Sequence, residues 1–176
     1  MRTVRTRLAA LALVVGLAPA AVACGDDDGG PAPVAAEGVE LTAEVRLVDR
    51  QVEFVYRLAN DGDEAVAAVD PQGFVNGSRT DKLGDGRYRY VLQRREEGSE
   101  GGGDLDATPS QGLRLAAGEV VEGRAGLVGR IDHRLDGVEL CVEIVPGGGR
   151  AGDVPGVAVL DRRDPGEPPV LACTGV

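Results

Sequence analysis

Two neighbouring stretches of this chain alternate apolar and polar residues with a period of two. Val39, Leu41, Ala43, Val45 and Leu47 interleave with Glu40, Thr42, Glu44 and Arg46, and Val52, Phe54, Tyr56 and Leu58 interleave with Glu53, Val55, Arg57 and Ala59. Successive side chains of a strand point to opposite faces, so this pattern predicts two strands, each with one buried face. Asp49-Arg50-Gln51 leaves room only for a short connection. The two strands are therefore predicted to form an antiparallel hairpin.

The rest of the chain continues in short strands and turn signals. Asn60-Asp61-Gly62-Asp63 reads as a turn, because these residue types tolerate positive φ. Glu64 to Asp70 is a third, weaker strand, and Pro71-Gln72-Gly73 and Asn76-Gly77-Ser78 read as breaks. Arg87-Tyr88-Arg89-Tyr90-Val91-Leu92 places Tyr88, Tyr90 and Leu92 on one face and Arg87, Arg89 and Val91 on the other. Gly98, Gly101, Gly102, Gly103 and Pro109 make 94–111 a long loop. Leu113 to Leu115, Glu119 to Ile131 and Val138 to Ile144 return to strand, with Gly118-Glu119 as a turn. Val157 to Leu160 and Val170 to Ala172 read as edge strands in Pro- and Gly-rich surroundings. No segment sustains a 3.6-residue period. The expectation is an all-β chain folded as a single immunoglobulin-like antiparallel β-sandwich of about 7–9 strands over residues 38–176.

Two turns carry a family likeness. Asn60-Asp61-Gly62-Asp63 and Leu115-Ala116-Ala117-Gly118-Glu119 resemble the N-x-G-D and L-x-x-G-E turns of bacterial immunoglobulin-like domains, including proteinase inhibitors of the BsuPI type. The resemblance covers about half the domain and implies a sandwich. It also implies a possible activity, inhibition of an extracellular protease, for which the exposed loop 96–111 would be the inhibitory element. The immunoglobulin D-x-G-x-Y-x-C corner is absent, since Asp136-Gly137-Val138-Glu139-Leu140-Cys141 lacks the tyrosine.

Ahead of this domain lies a different kind of sequence. Arg2, Arg5 and Arg7 precede an apolar run from Leu8 to Ala18, too short to span a bilayer comfortably and flanked like a secretory h-region. Ala21-Val22-Ala23-Cys24 resembles the lipobox of bacterial lipoproteins, with Ala21 where that pattern most often has Leu. The same residues also form an A-x-A site for plain secretion. Cysteine parity separates the two readings. The chain holds Cys24, Cys141 and Cys173, and an odd thiol in an exported protein calls for modification. The resemblance implies a lipid on Cys24 carrying at least two acyl chains, enough to anchor a protein without a transmembrane helix. Residues 1–23 are thus expected to be a signal peptide and residues 24–37 a lipidated cysteine with an acidic, Gly- and Pro-rich tether. Cys141 and Cys173 are expected to pair as a structural disulfide. Fully extended, residues 25–37 reach at most about 45 Å.

Charge narrows the partners. The formal net charge of −10 becomes about −13 once Arg2, Arg5 and Arg7 are removed, which repels phosphate backbones. Nucleic acid is not an expected partner. Past the leader the aromatics are Phe54, Phe74, Tyr56, Tyr88 and Tyr90, so stacking platforms are scarce. His133 is the only histidine and Met1 the only methionine, which argues against His- or Met-rich metal sites, and no cofactor is expected. Asp61, Asp63 and Glu64 are explained by turn polarity better than by calcium. Asp132 beside His133, with Ser78, Ser99 and Ser110 elsewhere, makes a triad only on paper, and G-x-S-x-G is absent. A cell-envelope hydrolase is therefore the weakest reading. Arg87, Tyr88, Arg89 and Tyr90 are the one basic and aromatic cluster, and the first place to look for a binding edge. The expectation is a non-enzymatic, lipid-anchored extracytoplasmic module with an envelope protein as partner.

Overall fold

A computed structural model describes residues 31–48, 51–71, 77–84, 86–97, 109–127 and 137–175. Over these residues the chain forms twelve strands: β1 (Val34–Ala35), β2 (Val39–Val48), β3 (Gln51–Asn60), β4 (Val66–Val69), β5 (Gly77–Gly84), β6 (Arg87–Gln93), β7 (Ser110–Leu115), β8 (Val120–Leu127), β9 (Val138–Pro146), β10 (Arg150–Ala151), β11 (Val157–Leu160) and β12 (Val170–Cys173). They make two sheets. The smaller has the order β2-β3-β8, and the larger runs β1-β12-β9-β4-β7-β11-β10 with β6 on β9 and β5 on β6. The fold is an all-β sandwich.

The predicted hairpin is present in full register, Val39 opposite Asn60 through Val48 opposite Gln51. Its alternation decides which face enters the core: Leu41, Val52, Phe54, Tyr56 and Leu58 are buried and meet Leu92, Leu115, Val138, Leu140, Val142, Ile144 and Leu160 of the larger sheet. Fully burying a Leu or Phe side chain contributes about 1.5–3 kcal/mol. Phe54 and Tyr90 join the two sheets, their rings edge to face at 6.2 Å. The outer face of the hairpin carries charge. Glu44 and Arg46 pair there at 2.7 Å, and the hydrogen bond and charge of Arg46 hold the Glu44 carboxyl below its ordinary value.

The strand count exceeds the expected 7–9, and the pairing is not wholly antiparallel. β6 runs parallel to β9 and β1 parallel to β12. Gly77–Gly84, which takes in Gly77 and Ser78 of an expected break whose Asn76 lies outside the described residues, is strand β5, paired antiparallel with β6. Its sequence, GSRTDKLG, shows no apolar alternation because it covers no core: Ser78, Arg79 and Thr80 are exposed. Nor are the two late strands plain edges. β11 lies between β7 and β10, and β12 lies between β9 and β1.

The two turns quoted above meet, although more than fifty residues separate them. Asn60 is almost wholly buried, and its side-chain amide donates to the carbonyls of Glu64 at 2.8 Å and Ala116 at 3.0 Å. Its Oδ1 accepts from the Gly62 amide. The Asn60 backbone exchanges hydrogen bonds with the second turn, donating to Glu119 and accepting from Gly118. Gly118 sits at φ 74°, in the left-handed region that suits glycine. Asn60→Ala removes these side-chain bonds and leaves carbonyls unsatisfied. It is expected to lower stability by about 1–3 kcal/mol in urea unfolding; an unchanged midpoint would contradict the latch.

Candidate functional site

Strand β9 is where the chemistry-bearing residues converge. Val138 through Ile144 are all buried, so both faces of this strand are covered. Val138, Leu140, Val142 and Ile144 point into the core between the sheets. The intervening Glu139, Cys141 and Glu143 face the other way, and each has a specific partner.

Cys141 lies directly opposite Cys173 of β12 and is bonded to it, with their Cα atoms 4.1 Å apart. The disulfide packs with Val91 of β6 and Leu171 of β12 in a small apolar cluster separate from the main core. Glu139 is held by Arg89 of β6, whose Nε donates to it at 2.5 Å. Glu143 is completely buried and is met by Arg94 just past the end of β6. The Arg94 backbone amide donates to Oε2 at 2.6 Å and its Nε to Oε1 at 2.9 Å. The parallel pairing of β6 with β9 brings these two arginines to these two acids.

A strap covers this row. Arg94 reaches the Asp161 carbonyl through Nη1 and lies 3.8 Å from Glu167. Glu96 and Arg163 form a parallel bridge, with the amide of Arg163 donating to Arg95 and that of Glu97 donating to Arg163. The Arg163 side chain is buried and bonded to Glu96. Its Nε and Nη1 meet no acceptor among the described residues, so its burial costs stability that the Glu96 pair offsets only in part. The charges of the row are thus matched by neighbours, and the arrangement acts as a staple joining β6, β9, β12 and the segment 161–167.

The expected site residues fall as follows. Arg87, Tyr88, Arg89 and Tyr90 lie on β6, which is paired with β5 on one side and β9 on the other, so the cluster offers side chains rather than a free backbone edge. Tyr90 turns into the core against Phe54. Burial pushes its hydroxyl above the ordinary tyrosine value, and Tyr88 adds to the shift. Arg87 is exposed. Cys24, His133 and most of the loop 96–111 lie outside the described residues. Among the described residues, the group whose donor atoms lie close enough for a metal is Glu139, Cys141 and Cys173, and its two sulfurs are bonded to each other. No family model, curated protein or solved structure matches this chain. Sequence reasoning missed Glu139 and Glu143 as buried groups. Their alternation with Val138, Leu140 and Val142 is what a solvent-facing row also shows.

Proposed function

We propose that this chain is an extracytoplasmic lipoprotein, anchored to the membrane through Cys24, whose β-sandwich is a non-enzymatic interaction or accessory module for an envelope protein. The observation that carries the reading is cysteine parity. Of three cysteines, Cys141 and Cys173 are bonded to each other, which leaves Cys24 as the odd one, and it stands directly after Ala21-Val22-Ala23. A buried structural disulfide also suits an oxidising compartment. After the Asp- and Gly-rich tether, the chain enters the domain at β1, which pairs with β12. Arg87 is the member of the basic cluster left on the surface for a partner.

Metabolic labelling with a radioactive or clickable fatty acid tests the anchor. The full chain incorporates label and sediments with membranes, whereas Cys24→Ser does neither. Label retained on Cys24→Ser, or no label on the unaltered chain, sinks the proposal.

A further inference from the structure

We propose that β8 pairs antiparallel with β8 of a second copy of this chain, about a two-fold axis through Gly123, so that the two small sheets become one of six strands. β8 is hydrogen-bonded to β3 without a break in register, from Ala59 opposite Val120 to Val52 opposite Leu127. Among the described residues nothing pairs with its other side. Such an edge is a template for another strand unless it is short, bulged, or protected by Pro or Lys. β8 is eight residues long, VVEGRAGL, without Pro, Lys or a bulge, and its two exposed charges, Glu122 and Arg124, are of opposite sign. The opposite edge of the small sheet is less open, because β2 runs beside β12.

The occupant follows from the strand's own sequence. Read outward from Gly123, its residues match in pairs: Glu122 with Arg124, Val121 with Ala125, Val120 with Gly126. Antiparallel pairing about Gly123 therefore sets Glu122 of each copy opposite Arg124 of the other, twice over. Val121 and Ala125 both face the core side and meet there. Val120, an exposed apolar residue at 43%, meets Gly126, where a Cβ would touch nothing within 4 Å. Neighbouring registers fail. A shift by one residue sets core-facing side chains against solvent-facing ones. A shift by two sets Glu122 against Glu122, or Arg124 against Arg124, and like charges directly opposite are destabilising. At the centre, a Cβ on Gly123 would lie 2.5 Å from the Tyr56 hydroxyl, so that position is committed to glycine by Tyr56 lying over it. An interface in which the same patch serves both copies is the commonest form of self-association.

Pairing one strand edge makes a small interface, so the association is weak and is measured by sedimentation equilibrium up to about 1 mM. The full chain is used from whichever fraction it occupies, membrane extract in mild detergent or soluble, so that failure of the anchor reading leaves this measurement intact. The unaltered chain forms a dimer. Glu122→Arg and Arg124→Glu each set like charges opposite and weaken self-association at least about tenfold. An equimolar mixture of those two variants restores dimers, because each copy then meets its opposite. Both positions are exposed, and because Arg124 also lies 3.8 Å from Glu53 of its own chain, the urea midpoint of each variant is measured alone so that a loss of folding is told apart from a loss of association. As a second readout, amide exchange along 120–126 of the unaltered chain slows as concentration rises. A chain monomeric at the highest concentration, single variants that associate as the unaltered chain does, or a mixture that stays monomeric would each overturn the proposal.

Discussion

Arg94→Ala is expected to lower the stability of the sandwich by about 3–5 kcal/mol, the typical cost of removing one partner of a buried ion pair. Glu143 has no exposed surface, and Arg94 supplies its side-chain cation at 2.9 Å. Truncating Arg94 takes its guanidinium from the buried carboxylate and leaves the Arg94 backbone amide bonded to it. It also frees the segment 161–167, which Arg94 ties down through the Asp161 carbonyl and Glu167. The comparison that isolates the mechanism is a pair of variants. Arg94→Met with Glu143→Leu removes both charges and fills the space with apolar side chains, so the double variant recovers most of the loss. Urea unfolding of the single and double variants measures both quantities. A double variant as unstable as Arg94→Ala would show that packing of the strap, rather than the uncompensated charge, governs this region.

Elements that lay one face on the core were legible in the sequence, and elements that do not were hidden. β2, β3 and β9 announce themselves because Leu41, Phe54, Leu140 and their neighbours at period two must all reach the same apolar layer. β5 has no such duty, since Ser78, Arg79, Thr80 and Lys82 are exposed and among the described residues it pairs only with β6, so nothing in GSRTDKLG marks a strand. Pairing direction left no trace either. The parallel contact of β6 with β9 joins segments fifty residues apart, and local patterning carries no information about which strand a strand lies beside. That contact is also what builds the site. Arg89 and Arg94 meet Glu139 and Glu143 only because β6 and β9 lie side by side, a placement that the local sequence does not carry. Asn60 gives the same lesson: turn chemistry accounts for its residue type, but its burial depends on the turn at 115–119 arriving over it. The disulfide was readable because cysteine parity, together with the expectation of export, suffices to predict it without knowing the topology.

Loss of that disulfide is the second large effect. Cys141→Ala with Cys173→Ala is expected to lower stability by about 3–4 kcal/mol, the chain-entropy value for a crosslink closing a loop of this size; the two cysteines are 32 residues apart in sequence. The loss should fall unevenly. β12 is four residues long and is held to β9 by three register pairs, the disulfide, and Thr174, whose hydroxyl accepts from the Leu140 amide and whose own amide donates to the Leu140 carbonyl. β1 pairs only with β12 among the described residues, and the Ala36 amide donates to Leu171. Once the crosslink is gone, β12 opens more readily than the hairpin β2–β3, and β1 opens with it. Hydrogen exchange should therefore show the amides of Val34, Ala36 and Thr174 losing protection well before those buried in β3. If they keep their protection while global stability falls, the crosslink acts on the unfolded chain alone. If they exchange first, the crosslink is also what holds the incoming tether to the body of the domain. Under the anchor reading that is the path by which a pull from the membrane reaches β9 and the core, because among the described residues the first strand contact after Cys24 is that of β1, and β1 leans on the strand that Cys173 fastens.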